Sequence, residues 1–113
     1  MNKYQEVKNA FVKDTVIIGQ AVCGDSETVE PFDKARKNAR VSGISLHNGL
    51  TPGEQICILK QGLIEWSSDE DIPIGQTMFI DNIGFPTWRK TNFVYGIVKE
   101  KSRGIYSIKV DFL

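Results

Sequence analysis

The chain of 113 residues contains a single histidine, two cysteines and four prolines, and its charges cancel, 14 Lys and Arg against 14 Asp and Glu. Each shortage excludes something. One His (His47) and two separated Cys (Cys23, Cys57) cannot assemble a conventional zinc site. No Cys-x-x-Cys, His-Glu-x-x-His, Walker loop or Gly-x-Ser-x-Gly elbow occurs, so the familiar catalytic and nucleotide-binding signatures are missing. A neutral balance offers no basic excess for nucleic acid. No apolar run approaches the ~18 residues that a membrane-spanning helix requires. The opening "MNKYQEVKNAFVKD" is charged throughout and lacks the apolar centre of a signal peptide, and there is no glycosylation sequon. Cys23 and Cys57 sit inside apolar runs, where a free thiol behaves as a small hydrophobe. Reduced, buried thiols and synthesis in a reducing cytoplasm are the expectation, with a disulfide as the alternative.

What the chain has in quantity is branching at Cβ. Thirteen Ile and nine Val stand against five Leu and four Ala. Such side chains are stiff and suit a pleated sheet better than a helix. Ten Gly supply the punctuation. The length suits one domain with a modest core. The expectation is a mostly β protein.

The chain also repeats itself. "VIIGQAVCGD" (Val16 to Asp25) returns as "IPIGQTMFID" (Ile72 to Asp81), 56 positions on. "VSGIS" from Val41 answers "VYGIV" from Val94 at an offset of 53, and Gly53 answers Gly104 at 51. The offset shrinks inside turn-like segments, as expected where surface loops lose residues and strands do not. Each copy reads as a Gly-Gln strand, a loop with Pro and basic residues, a short strand and a last strand. Ile56 and Ile58, and Ile108, Val110 and Phe112, keep the period of two of a half-buried strand. "GLIEW" reads as a further short strand between the copies. The fold expected is a small closed barrel or sandwich built from two duplicated β units, about 16–62 and 72–113, in a single β domain of residues 16–113. At most one short helix is expected, in "PFDKARKNAR". Residues 1–15 read as an N-terminal arm. Tyr4, Val7 and Phe11 fit one face of a helix or the anchors of an extended arm.

Candidate chemistry is thin. His47 lies in the turn "LHNGL" without a placed partner, and a lone His is a poor general base. "SSDED" gathers Asp69, Glu70 and Asp71 but lacks the alternating ligands of a calcium loop, so it reads as a solvated acidic turn. Asp25 and Asp81 each follow a strand and precede a turn, where Asp caps its own backbone. Trp88 and Arg89 have the composition of an interface anchor, though Trp88 could equally cap one barrel end. No catalytic residue, metal or cofactor is expected.

The order "GISLHNGLTPGEQICILKQGLIEW", "IPIGQTMFIDNIGFPT", "VYGIVKE" and "GIYSIKVDFL" resembles a family of small bacteriophage capsid cement or decoration proteins. Members carry a "GxA" strand, an "aaGE" turn, a "GVxEL" strand, a "GDxVYxD" strand and a closing "GxA…VxV" pair. Gly43 and Ile44, Gly53 and Glu54, Gly62 through Glu65, Gly75 through Asp81 and Gly96 through Val110 occupy those places, over roughly residues 16–113. The chain departs from the family in favouring Ile, Lys and Asn over Ala and Gly, and in a more basic loop from Phe32 to Arg40. The resemblance implies a non-enzymatic virion protein on the capsid surface. It would bind the major capsid protein of the assembled shell and stabilise it, often as a homotrimer, without nucleic-acid or membrane partners. Tyr4, Val7, Phe11, Phe32, Arg36, Arg40, Trp88 and Arg89 are the expected interface residues. The alternative is a receptor- or carbohydrate-binding module of a tail or head fibre, with Trp66, Trp88 and Tyr95 as an exposed aromatic platform.

Overall fold

Alternating branched residues build strands, and Gly and Pro end them. A computed structural model describes residues 5–24, 27–35 and 40–113. Among these residues are nine strands: β1 (Glu6–Val12), β2 (Ala21–Gly24), β3 (Thr28–Pro31), β4 (Val41–Ser45), β5 (Gln55–Ser67), β6 (Thr77–Ile80), β7 (Pro86–Thr87), β8 (Val94–Ser102) and β9 (Ile105–Asp111). The one helical element among the described residues is a 3-10 turn, Phe32–Lys34, opening the segment expected to be helical. Residues 36–39 of that segment lie outside the described residues. The mostly β expectation and the closed barrel both hold.

Five strands close the ring in the order β1, β3, β2, β4, β5, with β1 pairing parallel to β3 and antiparallel to β5. The strands β9, β8, β6 and β7 continue from β5 outside the ring. Closure therefore does not come from the two repeated units wrapping together, as the sequence suggested. It comes from β1. The supposed arm is a wall of the barrel, and Ala10 and Val12 bury their side chains in its core. The helical spacing of Val7 and Phe11 is incidental, because both lie exposed on the outside of the wall. Tyr4 is outside the described residues.

Two cores result. Ala10, Val12, Val16, Val22, Val29, Ile56 and Ile58 fill the barrel. Ala21, Ile44 and Leu59 point out of it, and the second sheet covers them with Met78, Ile80, Tyr95, Val98, Tyr106, Ile108 and Val110. Alternation along β2 and β5 thus feeds both cores, Ala21 and Leu59 pointing out where Val22, Ile56 and Ile58 point in, whereas the outer face of β1 is exposed.

"GLIEW" is not a separate strand. It is the outer half of β5, whose 13 residues run from the barrel into the second sheet. Gly62, at φ +144, allows the change of direction without ending the strand.

The two units match in detail. Val22 pairs with Gly43 and Cys23 with Val41, skipping Ser42; Met78 pairs with Gly96 and Phe79 with Val94, skipping Tyr95. The same bulge recurs at the same place. Gly19 N–H donates to Ser45 O at 2.8 Å and Ser45 N–H to Gln20 O at 2.9 Å; Gly75 N–H donates to Val98 O at 2.8 Å and Val98 N–H to Gln76 O at 3.0 Å. In the last strand Ile44 pairs with Leu59 and Ile97 with Lys109, an offset of 50 between Leu59 and Lys109. The offset of 51 read from the glycines is one residue too long. At 50, buried Ile56 and Ile58 answer buried Tyr106 and Ile108, so both strands keep their inward faces.

Candidate docking surface

The repeated Gly-Gln segments are tight turns with apolar tips. Gln20 N–H closes on Ile17 O at 3.0 Å with Gly19 at φ +89, and Gln76 N–H closes on Pro73 O at 3.2 Å with Gly75 at φ +92. A positive φ at the third position makes each a type II turn, which glycine alone adopts at no cost. The second position of each turn is an isoleucine, Ile18 and Ile74, 53% and 61% exposed. Neither was singled out from the sequence, although the repeat "IGQ" places them. Buried Gln20 fixes the first turn to the second unit. Its Oε1 accepts from Ile17 N–H at 3.0 Å and its Nε2 donates to Ile83 O at 2.6 Å.

Beside Ile18 runs an open groove of about 460 Å³, lined also by Gly19, Leu46 and β5 residues Ile64 to Ser67. Trp66 stacks on Phe85 with ring centroids 5.5 Å apart, and a second groove beyond it reaches Trp88. On another part of the molecule, Lys8, Arg40 and Lys60 line a groove of about 370 Å³ with Ser42 and Phe112. Lys60 Nζ donates to Ser42 O at 3.1 Å, and Lys8 and Arg40 make no ion pair with any described residue.

The expected interface residues do not form one patch. Val7 and Phe11 lie on β1, Arg40 joins Lys8 and Lys60, and Trp88 and Arg89 follow β7 on an exposed loop. Phe32 is half-buried and meets Phe93 edge-on at 5.2 Å, closing the seam between barrel and second sheet. Arg36 lies outside the described residues, as does Asp25. The aromatic platform imagined for a carbohydrate site does not exist: Tyr95 is 1% exposed, and its hydroxyl bonds to Gly19 O.

Asp81, His47 and Asp71 each hold structure in place. Asp81 Oδ1 accepts from the N–H groups of Ile83, Gly84 and Phe85 at 3.0, 2.9 and 2.9 Å, the self-capping expected of it. His47 Nδ1 accepts from Cys57 N–H at 3.1 Å, tying the turn to β5. Asp71 pairs with Lys101 at 2.9 Å in an exposed setting of little energetic weight. Among the described residues no three of His, Cys, Asp and Glu converge as metal ligands. Cys23 and Cys57 are free thiols. Burial, with Glu30 nearby, pushes the Cys23 thiol up to about 11, which leaves it unreactive at neutral pH.

No protein-family model and no curated protein matches the chain. Among solved structures, the chain is similar to the N base of the head fibre protein gp8.5 of bacteriophage phi29. The TM-score is 0.54 at 15% identity, over 96% of this chain and 95% of that one. At that identity the likeness is one of fold, and it spans both the barrel and the sheet beside it.

Proposed function

We propose that the protein is a structural component of a phage virion, a head-attached module that docks on the assembled coat-protein shell and has no catalytic role. The single observation that carries this reading is the full-length likeness to a head fibre base. It agrees in class with the resemblance to capsid decoration proteins read from the residues. Exposed apolar turn tips and an apolar groove on the described surface are what a docking face needs. A rigid body that binds only the assembled state stabilises the shell by mass action. The docking unit in this reading is a homotrimer seated where coat subunits meet.

Decoration and fibre attachment share this docking step and differ in what else the protein carries. Immunogold labelling of purified virions tests the reading: label on the heads is the expected result, and label on tails or none on particles overturns it. Light scattering on the purified protein tests the trimer. Glycan binding lost on Trp88→Ala would favour the carbohydrate-binding alternative, which the burial of Tyr95 weakens.

A further inference from the structure

Among the described residues the outer half of β5 has one neighbouring strand. Ile58 and Leu59 pair with β1 on one edge and β4 on the other, and Gln61 pairs with Glu6 on one side and Asp111 on the other. From Gly62 to Ser67 only β9 pairs with it among the described residues. Along an antiparallel strand, residues whose backbone groups face one neighbour alternate with residues facing the other edge. Leu63 O accepts the Gln5 side-chain amide at 3.2 Å on the β1 side, so Leu63, Glu65 and Ser67 all face away from β9. The N–H and C=O of Glu65 and Ser67 find no partner there among the described residues.

The apolar groove runs along this same edge. Successive strand residues point to opposite faces, so the four residues Ile64 to Ser67 can line one groove together only at an edge. Open edges are normally blunted by Pro, Lys or brevity. The sheet's other end follows that rule, since β7 has two residues and one is Pro86. "LIEWS" has neither Pro nor Lys, and its single charge is Glu65.

We infer that β5 from Leu63 to Ser67 accepts an extended segment of a partner polypeptide as an added strand, with a Lys or Arg opposite Glu65 and apolar residues on either side of it. The chemistry follows from the edge. Backbone donors and acceptors in a row recognise another backbone, and side chains alternate between the groove and the outer face. Groove-facing partner residues meet Ile18, Leu46 and Trp66 and must be apolar. The outward partner residue sits directly opposite Glu65, whose row across the sheet is Ser107 and then Glu100, with Lys101 and Arg103 farther along the same face, so a cation is favoured over a carboxylate at that one position. A second copy of this chain is a poor occupant, because antiparallel pairing of two such edges centred on Glu65 sets Glu65 against Glu65.

The inference rests on the docking reading only for where the partner comes from. The test is an NMR titration of the full chain with the blocked peptide acetyl-Thr-Val-Lys-Val-Thr-amide. Saturable shifts and slowed exchange at the Glu65 and Ser67 amides are expected, with the Glu-centred analogue roughly two- to five-fold weaker. Glu65→Lys should reverse that preference. Glu65→Pro and Ser67→Pro each remove an edge N–H that the fold does not use, and each should abolish binding while the rest of the spectrum persists. Absence of saturable shifts at millimolar peptide, undiminished binding by both proline variants, or concentration-dependent shifts at the edge without peptide would overturn it. Shells that take up wild type and Glu65→Pro alike would leave the docking reading standing and remove this one from it.

Discussion

The Tyr95 hydroxyl donates to the carbonyl of Gly19 at 2.6 Å across 76 positions of sequence. Tyr95 is the bulged residue of β8, and the matching bulged residue of β4, Ser42, donates its hydroxyl to Gly24 O at 2.9 Å. A bulge re-aims a side chain, and here both send a hydroxyl to a backbone oxygen of the first unit. The Tyr95 bond also ties the second sheet to the barrel at the turn that presents Ile18. Tyr95→Phe should cost about 1–2 kcal/mol, because a buried acceptor loses its donor. A urea midpoint unchanged from wild type would show that Gly19 O is satisfied some other way.

Two matched glycines test the shared geometry. A β-carbon at Gly43 would stand 2.6 Å from Leu59 O, and one at Gly96 would press on Lys109 O, with backbone in both cases as the obstacle. Gly43→Ala and Gly96→Ala should each destabilise by roughly 1–3 kcal/mol through overpacking. Gly53→Ala meets nothing within 4 Å and is strained only by its φ of +92, so about 1 kcal/mol is expected. Equal losses at all three positions in chemical denaturation would contradict this account of why the strands approach so closely.

Deleting residues 1–13 should abolish cooperative unfolding, since β1 closes the barrel and contributes Ala10 and Val12 to its core. A reading of that segment as a peripheral arm predicts the opposite, a folded body with weaker attachment. Near-ultraviolet circular dichroism of the truncated chain decides between them.

Alkali should weaken the fold. Burial holds the Cys23 thiol at about 11, above its ordinary 9.0, and raises the Tyr95 phenol as well. The folded state therefore keeps protons that the unfolded chain releases first. This stabilisation is complete below about pH 9 and is lost as pH rises through about 11. Urea midpoints should fall over that window, and the fall should be shallower in Cys23→Ala and Tyr95→Phe. An equally steep fall in the double variant would assign it to other groups.

Most of the strand pattern was legible because Ile and Val mark pleated segments, but the Gly-Gln segments read as strand openings are turns, since Gly19 and Gly75 take positive φ. The pairing of Val22 with Gly43 and of Met78 with Gly96 follows the repeated segments but was not read from them. β1 was not legible, since its buried pair is the small Ala10 and Val12, while the conspicuous Val7 and Phe11 face solvent. The continuity of β5 was hidden by Gly62, which reads as a break and acts as a bend. Of the residues named for the site, Trp88, Arg89 and Arg40 are exposed. The β5 edge was beyond reach, because a missing neighbour is a property of topology and leaves no mark on the strand itself.

The most direct test of the central claim is co-sedimentation of the purified protein with empty shells of its phage, alongside the same coat protein unassembled. Docking on the assembled head predicts saturable uptake by shells, a fixed copy number per shell, and none by free coat protein. Failure to sediment with shells at any concentration, or equal binding to unassembled coat protein, would contradict it.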